Sequence, residues 1–256
     1  MPEQLNYGNW IRRKVLWMLA AGVLVFGIFA ILPLRLALRV PAGVICGILS
    51  ISFLYPLYSY YMFSSRGGAL QEKIYDLIVT YLDYDEKGKL LDIGTGNGVL
   101  AIKLARSHPA SNVFGVDYWG KDWEYSKSIC EENARRAGVS ESVQFQKGDA
   151  ASLNFPDATF DAVVSNLTFH EVKLVKRKID VLREALRVLK PGGRFAFIDY
   201  FYESRYYGES SEFEMLLWSL KLSSVEFKPL DQILAYPKLL RHPKALGRVG
   251  IVYGQK

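Results

Sequence analysis

Two long stretches without a charged residue lie near the start of the chain. The first covers 20 residues, from Val15 to Leu34, and the second covers 26, from Val40 to Ser65. A helix of about 20 apolar residues is long enough to cross the ~30 Å hydrocarbon layer of a bilayer. Trp and Tyr side chains flank the two stretches, as is typical of rings at a membrane interface. The pattern predicts a membrane hairpin domain over residues 1–65, with helices at about 15–34 and 40–63.

Two other interpretations of these stretches stay open at this point. The pair could form a buried helical hairpin in a soluble protein, or the first stretch could belong to a cleaved signal peptide. The signal peptide fits less well, because the first stretch is long, lacks a convincing small-residue cleavage site and is soon followed by the second.

After a short Ser- and Gly-rich linker near residues 64–68, apolar runs of strand length alternate with segments of helical periodicity. A helix is predicted near residues 70–82, followed by strands and helices in turn. The predicted strands are 89–93, 112–116, 143–146, 160–164 and 194–200, with two further candidates at 225–227 and 249–253.

The helix before the fifth strand has the clearest apolar face. Its predicted positions are Val172, Val175, Ile179, Leu182, Leu186 and Leu189. A polar helix of about 15 residues is predicted from Lys121. Continuous apolar strands that alternate with helices are typical of a mostly parallel sheet covered on both faces. The predicted fold of residues 66–256 is therefore an α/β domain with a doubly wound, mostly parallel seven-stranded sheet.

Charge sharpens the expected location of this domain. The net charge of +6 divides into +4 for residues 1–63 and +2 for the remainder, so the body of the protein is nearly neutral. We therefore expect no nucleic acid partner. Arg12, Arg13 and Lys14 precede the first apolar stretch, which favours a cytoplasmic N-terminus. Two crossings would return the α/β domain to the cytoplasm. The two cysteines, Cys46 and Cys130, suggest neither a disulfide framework nor a metal site.

The residues that could bind a ligand or take part in catalysis follow the predicted strands. Gly94, Gly96 and Gly98 come after the first strand, with Asp92 two residues before them, and Asp117 ends the second strand. In such sheets ligands bind beyond the carboxyl ends of the strands. A carboxylate at Asp92 favours a cationic amino group over a pyrophosphate, and the Gly-x-Gly-x-Gly spacing differs from the dinucleotide fingerprint. Both points favour a cationic, amino-acid-bearing nucleoside over NAD.

These motifs together resemble the class I S-adenosylmethionine-dependent methyltransferases over about residues 70–200, with a small-molecule or quinone-type final motif. The matching segments are residues 90–98, 113–117, 148–150, 160–166 and 186–194. The resemblance implies S-adenosylmethionine as cofactor, with Asp92 near the methionine amino group, Asp117 on the ribose and Asp149 with Ala150 on the adenine. The complete set of candidate cofactor-binding residues is Asp92, Gly94, Thr95, Gly96, Gly98, Asp117, Tyr118, Asp149, Ala150 and Asn166.

His170 is the candidate catalytic residue, because it follows Asn166 at the end of the fourth strand, near the expected position of the donated methyl group. It could act as a general base, or it could cap or orient the next helix. For Tyr118, stacking on adenine and a lid over the sheet edge are both open. Asp199 and the aromatic residues after it could line an acceptor pocket or form a packed edge.

The sequence thus predicts a membrane-anchored methyltransferase with a small, lipid- or quinone-like acceptor. Two alternatives remain: a nicotinamide-dependent oxidoreductase on a similar sheet, and a non-catalytic protein that only binds S-adenosylmethionine.

Overall fold

The computed structural model describes residues 5–120, 125–173, 175–243 and 245–256. It separates into two compact units. One comprises Asn9–Lys73, and the other comprises residues 5–8 together with Ile74–Lys256.

The smaller unit contains two apolar helices, α1 (Arg13–Ile31) and α2 (Leu36–Phe63). Both are long and apolar enough to cross a membrane, and almost none of their residues is buried. A Cβ added at Gly22 would approach Leu49 to 3.0 Å, and one added at Gly27 would lie 3.6 Å from Cys46. Small residues therefore let the two helices pack closely, as is common for helices in lipid.

The larger unit is built on a seven-stranded sheet. Its strands are β1 (Lys89–Ile93), β2 (Asn112–Asp117), β3 (Val143–Lys147), β4 (Phe160–Asn166), β5 (Leu189–Asp199), β6 (Ser224–Pro229) and β7 (Gly250–Gln255). The order in the sheet is β3-β2-β1-β4-β5-β7-β6. The first five strands in this order, β3 to β5, are parallel to one another, whereas β7 runs antiparallel to both β5 and β6. This confirms the predicted fold class, with a mixed rather than purely parallel sheet.

Helices connect the parallel strands. They are α3 (Leu70–Leu82), which precedes β1, then α4 (Val99–Ser107), α5 (Lys127–Ala137) and α6 (Lys178–Val188), with the shorter α7 (Ser204–Tyr207), α8 (Ser210–Ser219) and α9 (Leu230–Ile233) after β5. Short 3-10 turns occupy Phe169–Glu171 and Lys238–Leu240. Large aromatic side chains from β4, β5 and the segment after β5 fill the core. The fully buried phenylalanines are Phe160, Phe169, Phe195, Phe197, Phe201 and Phe213.

Two predicted boundaries are wrong. The helix predicted to include Val172 and Val175 begins only at Lys178, and Leu189 already belongs to β5. The ammonium of Lys178 donates hydrogen bonds to the carbonyls of Val172 and Val175, which holds these carbonyls outside a helical ladder.

The polar helix after β2 begins at Lys127, and the predicted start at Lys121 lies outside the described residues. The fifth strand begins at Leu189, five residues before the predicted Arg194. Between Phe160 and Ala162 of β4, the partner register on β5 jumps from Leu189 to Arg194. This irregularity places the Pro- and Gly-containing segment inside the strand.

Candidate functional site

The candidate cofactor residues meet at one edge of the sheet. In parallel strands the carboxyl ends lie on the same side, and Ile93 pairs with both Val116 of β2 and Ser165 of β4. The glycine-rich loop after β1 therefore lies between the ends of β2 and β4. Asp117 and Asn166 end these two neighbouring strands.

The glycine-rich loop has a conformation that requires glycine at its first position. Gly94 adopts φ +78°, and a Cβ there would overlap the side chain of Thr168, which follows β4. A side chain at residue 94 would thus be strained and would force the two loops apart.

Asp92 lies beneath this loop and is 1% exposed. Its Oδ2 accepts hydrogen bonds from Thr95 Oγ1 (2.7 Å) and from the N–H of Ala101 (3.1 Å). Burial raises the pKa of Asp92 to about 7, against the opposing effect of these hydrogen bonds. Asp92 therefore fixes the loop to the start of α4, a role that motif spacing alone did not indicate.

Asp117 joins the loop to the end of β2. Its Oδ2 accepts a hydrogen bond from the N–H of Gly96 (2.8 Å), and its Oδ1 accepts one from the N–H of Trp119 (2.8 Å). Burial raises the pKa of Asp117 despite these bonds. Since desolvation disfavours both nearby carboxylates, a positively charged ligand would restore their ionised form.

The other candidate residues differ in exposure. The ring of Tyr118 is 64% exposed, with Lys147 Nζ 5.3 Å from its centroid, so a flat face is available for stacking. Asp149 Oδ1 accepts a hydrogen bond from the N–H of Ala151 (2.9 Å). Asn166 is 8% exposed, and neither polar atom of its side-chain amide has a hydrogen-bond partner among the described residues. A buried unpaired amide is costly unless a ligand satisfies it.

His170 lies in the 3-10 turn after β4 and is held by Asp199 at the end of β5. His170 Nδ1 is 2.5 Å from Asp199 Oδ1, and the backbone N–H of His170 donates to Asp199 Oδ2 (3.0 Å). The fully buried Asp199 also accepts hydrogen bonds from the Tyr207 hydroxyl and the Tyr200 N–H. Because α6 starts at Lys178, with Arg177 at its N-cap, His170 does not cap that helix.

The charge of His170 follows from its two acidic neighbours. Burial lowers the pKa of His170, but the charge and hydrogen bond of Asp199, helped by Glu171 at 3.4 Å, outweigh it and raise the pKa to about 9. The imidazole is therefore protonated at neutral pH in the ligand-free chain.

A cavity of about 550 Å³ opens beside His170. Its lining residues are His170, Glu171, Tyr200, Glu203, Arg205, Tyr206, Pro243 and Arg248. The rings of Tyr200 and Tyr206 lie 4.7 Å and 5.7 Å from the imidazole. Of the aromatic residues after β5, Tyr200 and Tyr206 thus line the cavity, whereas Phe201 and Tyr207 are buried in the core. The walls combine aromatic rings with charged groups, which suits a small molecule that is partly polar.

Several residues at this edge lie outside every motif that was recognised in the sequence. The indole N–H of Trp119 donates to the Gly96 carbonyl (2.9 Å). Asn133 on α5 donates to the Asn97 carbonyl (2.9 Å) and is 1% exposed. A buried asparagine on an otherwise polar helix gives no periodicity signal, so the sequence offered no means of singling it out.

Comparison with known proteins finds similarity to methyltransferases over this edge of the sheet. Residues 91–197 match the family described as methyltransferase domain. Over 112 residues the chain is 38% identical to 27-O-demethylrifamycin SV methyltransferase of Amycolatopsis mediterranei, covering 44% of this chain and 38% of that protein. It is 36% identical to the ubiquinone/menaquinone biosynthesis C-methyltransferase of Desulfotalea psychrophila, covering 44% and 41%. The chain thus spans about two fifths of the length of these relatives.

The fold is shared with solved structures as well. A SAM-dependent methyltransferase from Aquifex aeolicus superposes with a TM-score of 0.50 at 21% identity, covering 72% of this chain and 88% of that one. Together with the family match, this confirms the predicted methyltransferase domain, whose cofactor class is S-adenosylmethionine.

Replacing Asp117 by Ala is expected to weaken binding of S-adenosylhomocysteine roughly tenfold to a hundredfold. The loss removes one bidentate, charge-assisted contact, which contributes about 1.5–3 kcal/mol, and releases the Gly96 N–H. Isothermal titration calorimetry measures the change, with Asp85→Ala, at an exposed carboxylate, as the matched control. Equal affinity of the Asp117 variant and the wild type would contradict the assignment.

The histidine pair predicts a distinct titration. In NMR spectra His170 should titrate near pH 9, and in Asp199→Asn its pKa should fall well below that value, because burial remains and only Glu171 is left to oppose it. The pair stabilises the fold fully below about pH 6.5, and this contribution is lost as the pH rises through 9. A His170 pKa near 6.5 in both proteins would show that Asp199 does not act on it.

Proposed function

Because residues 91–197 match the methyltransferase domain family, we propose that the whole chain is a membrane-anchored methyltransferase. It transfers the methyl group of S-adenosylmethionine to a small, lipid- or quinone-like acceptor. The observation that carries the proposal is the convergence of the glycine-rich loop, Asp117 and the Asn166 amide, which has no partner in the described part of the chain, at the edge next to the His170 cavity.

The residues at this edge fit the cofactor. Gly94, in the left-handed conformation and without a side chain, lets a ligand approach the backbone closely. The buried amide of Asn166, which has no partner among the described residues, could hydrogen-bond a polar ligand. Asp117 is proposed to hold the ribose hydroxyls, Asp149 and Ala150 the adenine, and Tyr118 to stack on its ring. The two buried carboxylates, Asp92 and Asp117, favour a cationic ligand, which argues against the anionic pyrophosphate of NAD.

The chemical demand on the protein is modest. When bound, S-adenosylmethionine supplies an already activated methyl group on a positively charged sulfur. The chain must then hold the acceptor atom in line with that methyl group, which alone supplies much of the rate. For a hydroxyl acceptor a proton must also leave, and we propose that the imidazole of His170, which lines the cavity, takes it. The positively charged sulfur of bound S-adenosylmethionine would lower the pKa of His170 and so favour the neutral imidazole that a base must have.

His170→Gln should reduce methyl transfer by about a hundredfold to ten-thousandfold while the affinity for S-adenosylhomocysteine stays within twofold, because the residue acts on the acceptor side. In the wild type the rate should rise with pH as His170 loses its proton. Asp199→Asn should move that rise to lower pH. An unchanged rate and an unchanged pH profile in His170→Gln would rule out the base role.

The membrane assignment is supported by α1 and α2, which are long, apolar and exposed. Arg12, Arg13 and Lys14 precede α1, and a cytosolic cofactor requires that the catalytic unit face the cytoplasm. We therefore propose a hairpin with both ends on the cytoplasmic side.

Cysteine labelling tests this orientation. In a full-length chain carrying Cys46→Ser and Cys130→Ser, a single cysteine introduced at the exposed Ser140 should react with an impermeant thiol reagent only after the cells are opened. Strong labelling in intact cells would place the catalytic unit outside and contradict the proposal.

The acceptor class follows from the same anchoring. A lipid- or quinone-like acceptor gains a high local concentration from an enzyme held at the membrane, and one relative methylates in ubiquinone/menaquinone biosynthesis.

The full chain, given methyl-labelled S-adenosylmethionine and a membrane extract, should label the lipid fraction. Asp117→Ala serves as the control. Label found only in water-soluble metabolites would overturn the acceptor class. Binding without transfer to any fraction would indicate a non-catalytic S-adenosylmethionine-binding protein.

A further inference from the structure

The segment before the first apolar helix lies against the glycine-rich loop. Residues 5–8, called the N-terminal strap here, belong to the same compact unit as the sheet. Residues 9–12 separate the strap from α1. None of the sequence motifs accounts for this segment.

Asn133 binds the strap through the backbone of a single residue. The N–H of Asn6 donates to Asn133 Oδ1 (2.8 Å), and Asn133 Nδ2 donates to the Asn6 carbonyl (2.9 Å). The same Nδ2 group donates to the carbonyl of Asn97 in the glycine-rich loop (2.9 Å). One buried amide therefore joins the strap, the loop and α5, and these three hydrogen bonds use backbone groups of the strap and the loop.

A second contact connects the strap to the loop. Gly8 has φ +71°, and a Cβ there would lie 3.4 Å from Asn97 Nδ2 and 3.5 Å from the Tyr125 ring. A Cβ at Gly96 would lie 3.6 Å from the same ring. The Tyr125 ring therefore lies close to Gly8 of the strap and to Gly96 of the glycine-rich loop.

We propose that the strap is part of the cofactor site and that Asn133 is the positioning residue that couples strap docking to the conformation of the glycine-rich loop. The inference rests on the proposed function, since the ligand of that loop is taken to be S-adenosylmethionine. Coupling is reciprocal: if the docked strap favours cofactor binding, the cofactor must favour the docked strap by the same factor.

The backbone character of the contact permits a sharp test. Asn6→Pro removes the N–H that donates to Asn133, whereas Asn6→Ala keeps the whole backbone and changes only an exposed side chain. The full chain is purified in detergent, and its affinity for S-adenosylhomocysteine is measured by calorimetry. Loss of one such hydrogen bond should raise the Kd about threefold to tenfold in Asn6→Pro. Asn6→Ala should match the wild type, and the melting temperatures without ligand should agree.

Hydrogen exchange gives a readout that a merely structural strap would not change. In the wild type, S-adenosylhomocysteine should slow exchange of the Asn6 amide, and this protection should shrink in Asn133→Asp, which lacks the shared donor. Wild-type affinity in Asn6→Pro together with ligand-independent exchange at residue 6 would overturn the inference while leaving the proposed function intact. Absence of binding by the wild-type chain would overturn the proposed function, and the inference with it.

Discussion

The parallel pairing of five adjacent strands is the constraint on which the rest of the site depends. Since β3, β2, β1, β4 and β5 run in one direction, the residues that follow each strand lie at one edge, although they are as much as 106 positions apart in the chain. Buried carboxylates then hold the loops together. Asp117 fixes the glycine-rich loop to β2, and Asp199 fixes the turn of His170 to β5. Each acid is desolvated but satisfied by hydrogen bonds, so the edge is built before any ligand arrives.

This arrangement divides the edge into two functions. Around the loop lie two acids and an amide that is unpaired within the described residues, the proposed site of a cationic nucleoside, whereas the cavity beside His170 is lined by tyrosines and charged groups. A methyltransferase needs this division, because the donor must be held in a fixed position while acceptors differ between enzymes on one fold. The strap lies beside the glycine-rich loop within the same compact unit.

The sequence predicted what depends on short-range pattern. The order of strands and helices, the two apolar helices and the position of Asp117 at a strand end all follow from periodicity and motif spacing. The structure added what depends on distant contacts. The beginning of α6 is set by the bonds of Lys178 to the carbonyls of Val172 and Val175, and the pairing of His170 with Asp199 joins residues 29 positions apart. The hydrogen bonds of Asn133 with the strap and the loop could not be predicted from the hydrophobic pattern, because they are made to backbone groups.

The central claim is that the edge binds S-adenosylmethionine rather than a nicotinamide dinucleotide. Calorimetry of the full chain with S-adenosylmethionine, S-adenosylhomocysteine and NAD, each titrated separately at pH 7.5, tests it most directly. We expect saturable binding of both sulfur nucleosides and no heat of binding with NAD. Binding of NAD with no response to either sulfur nucleoside would contradict it.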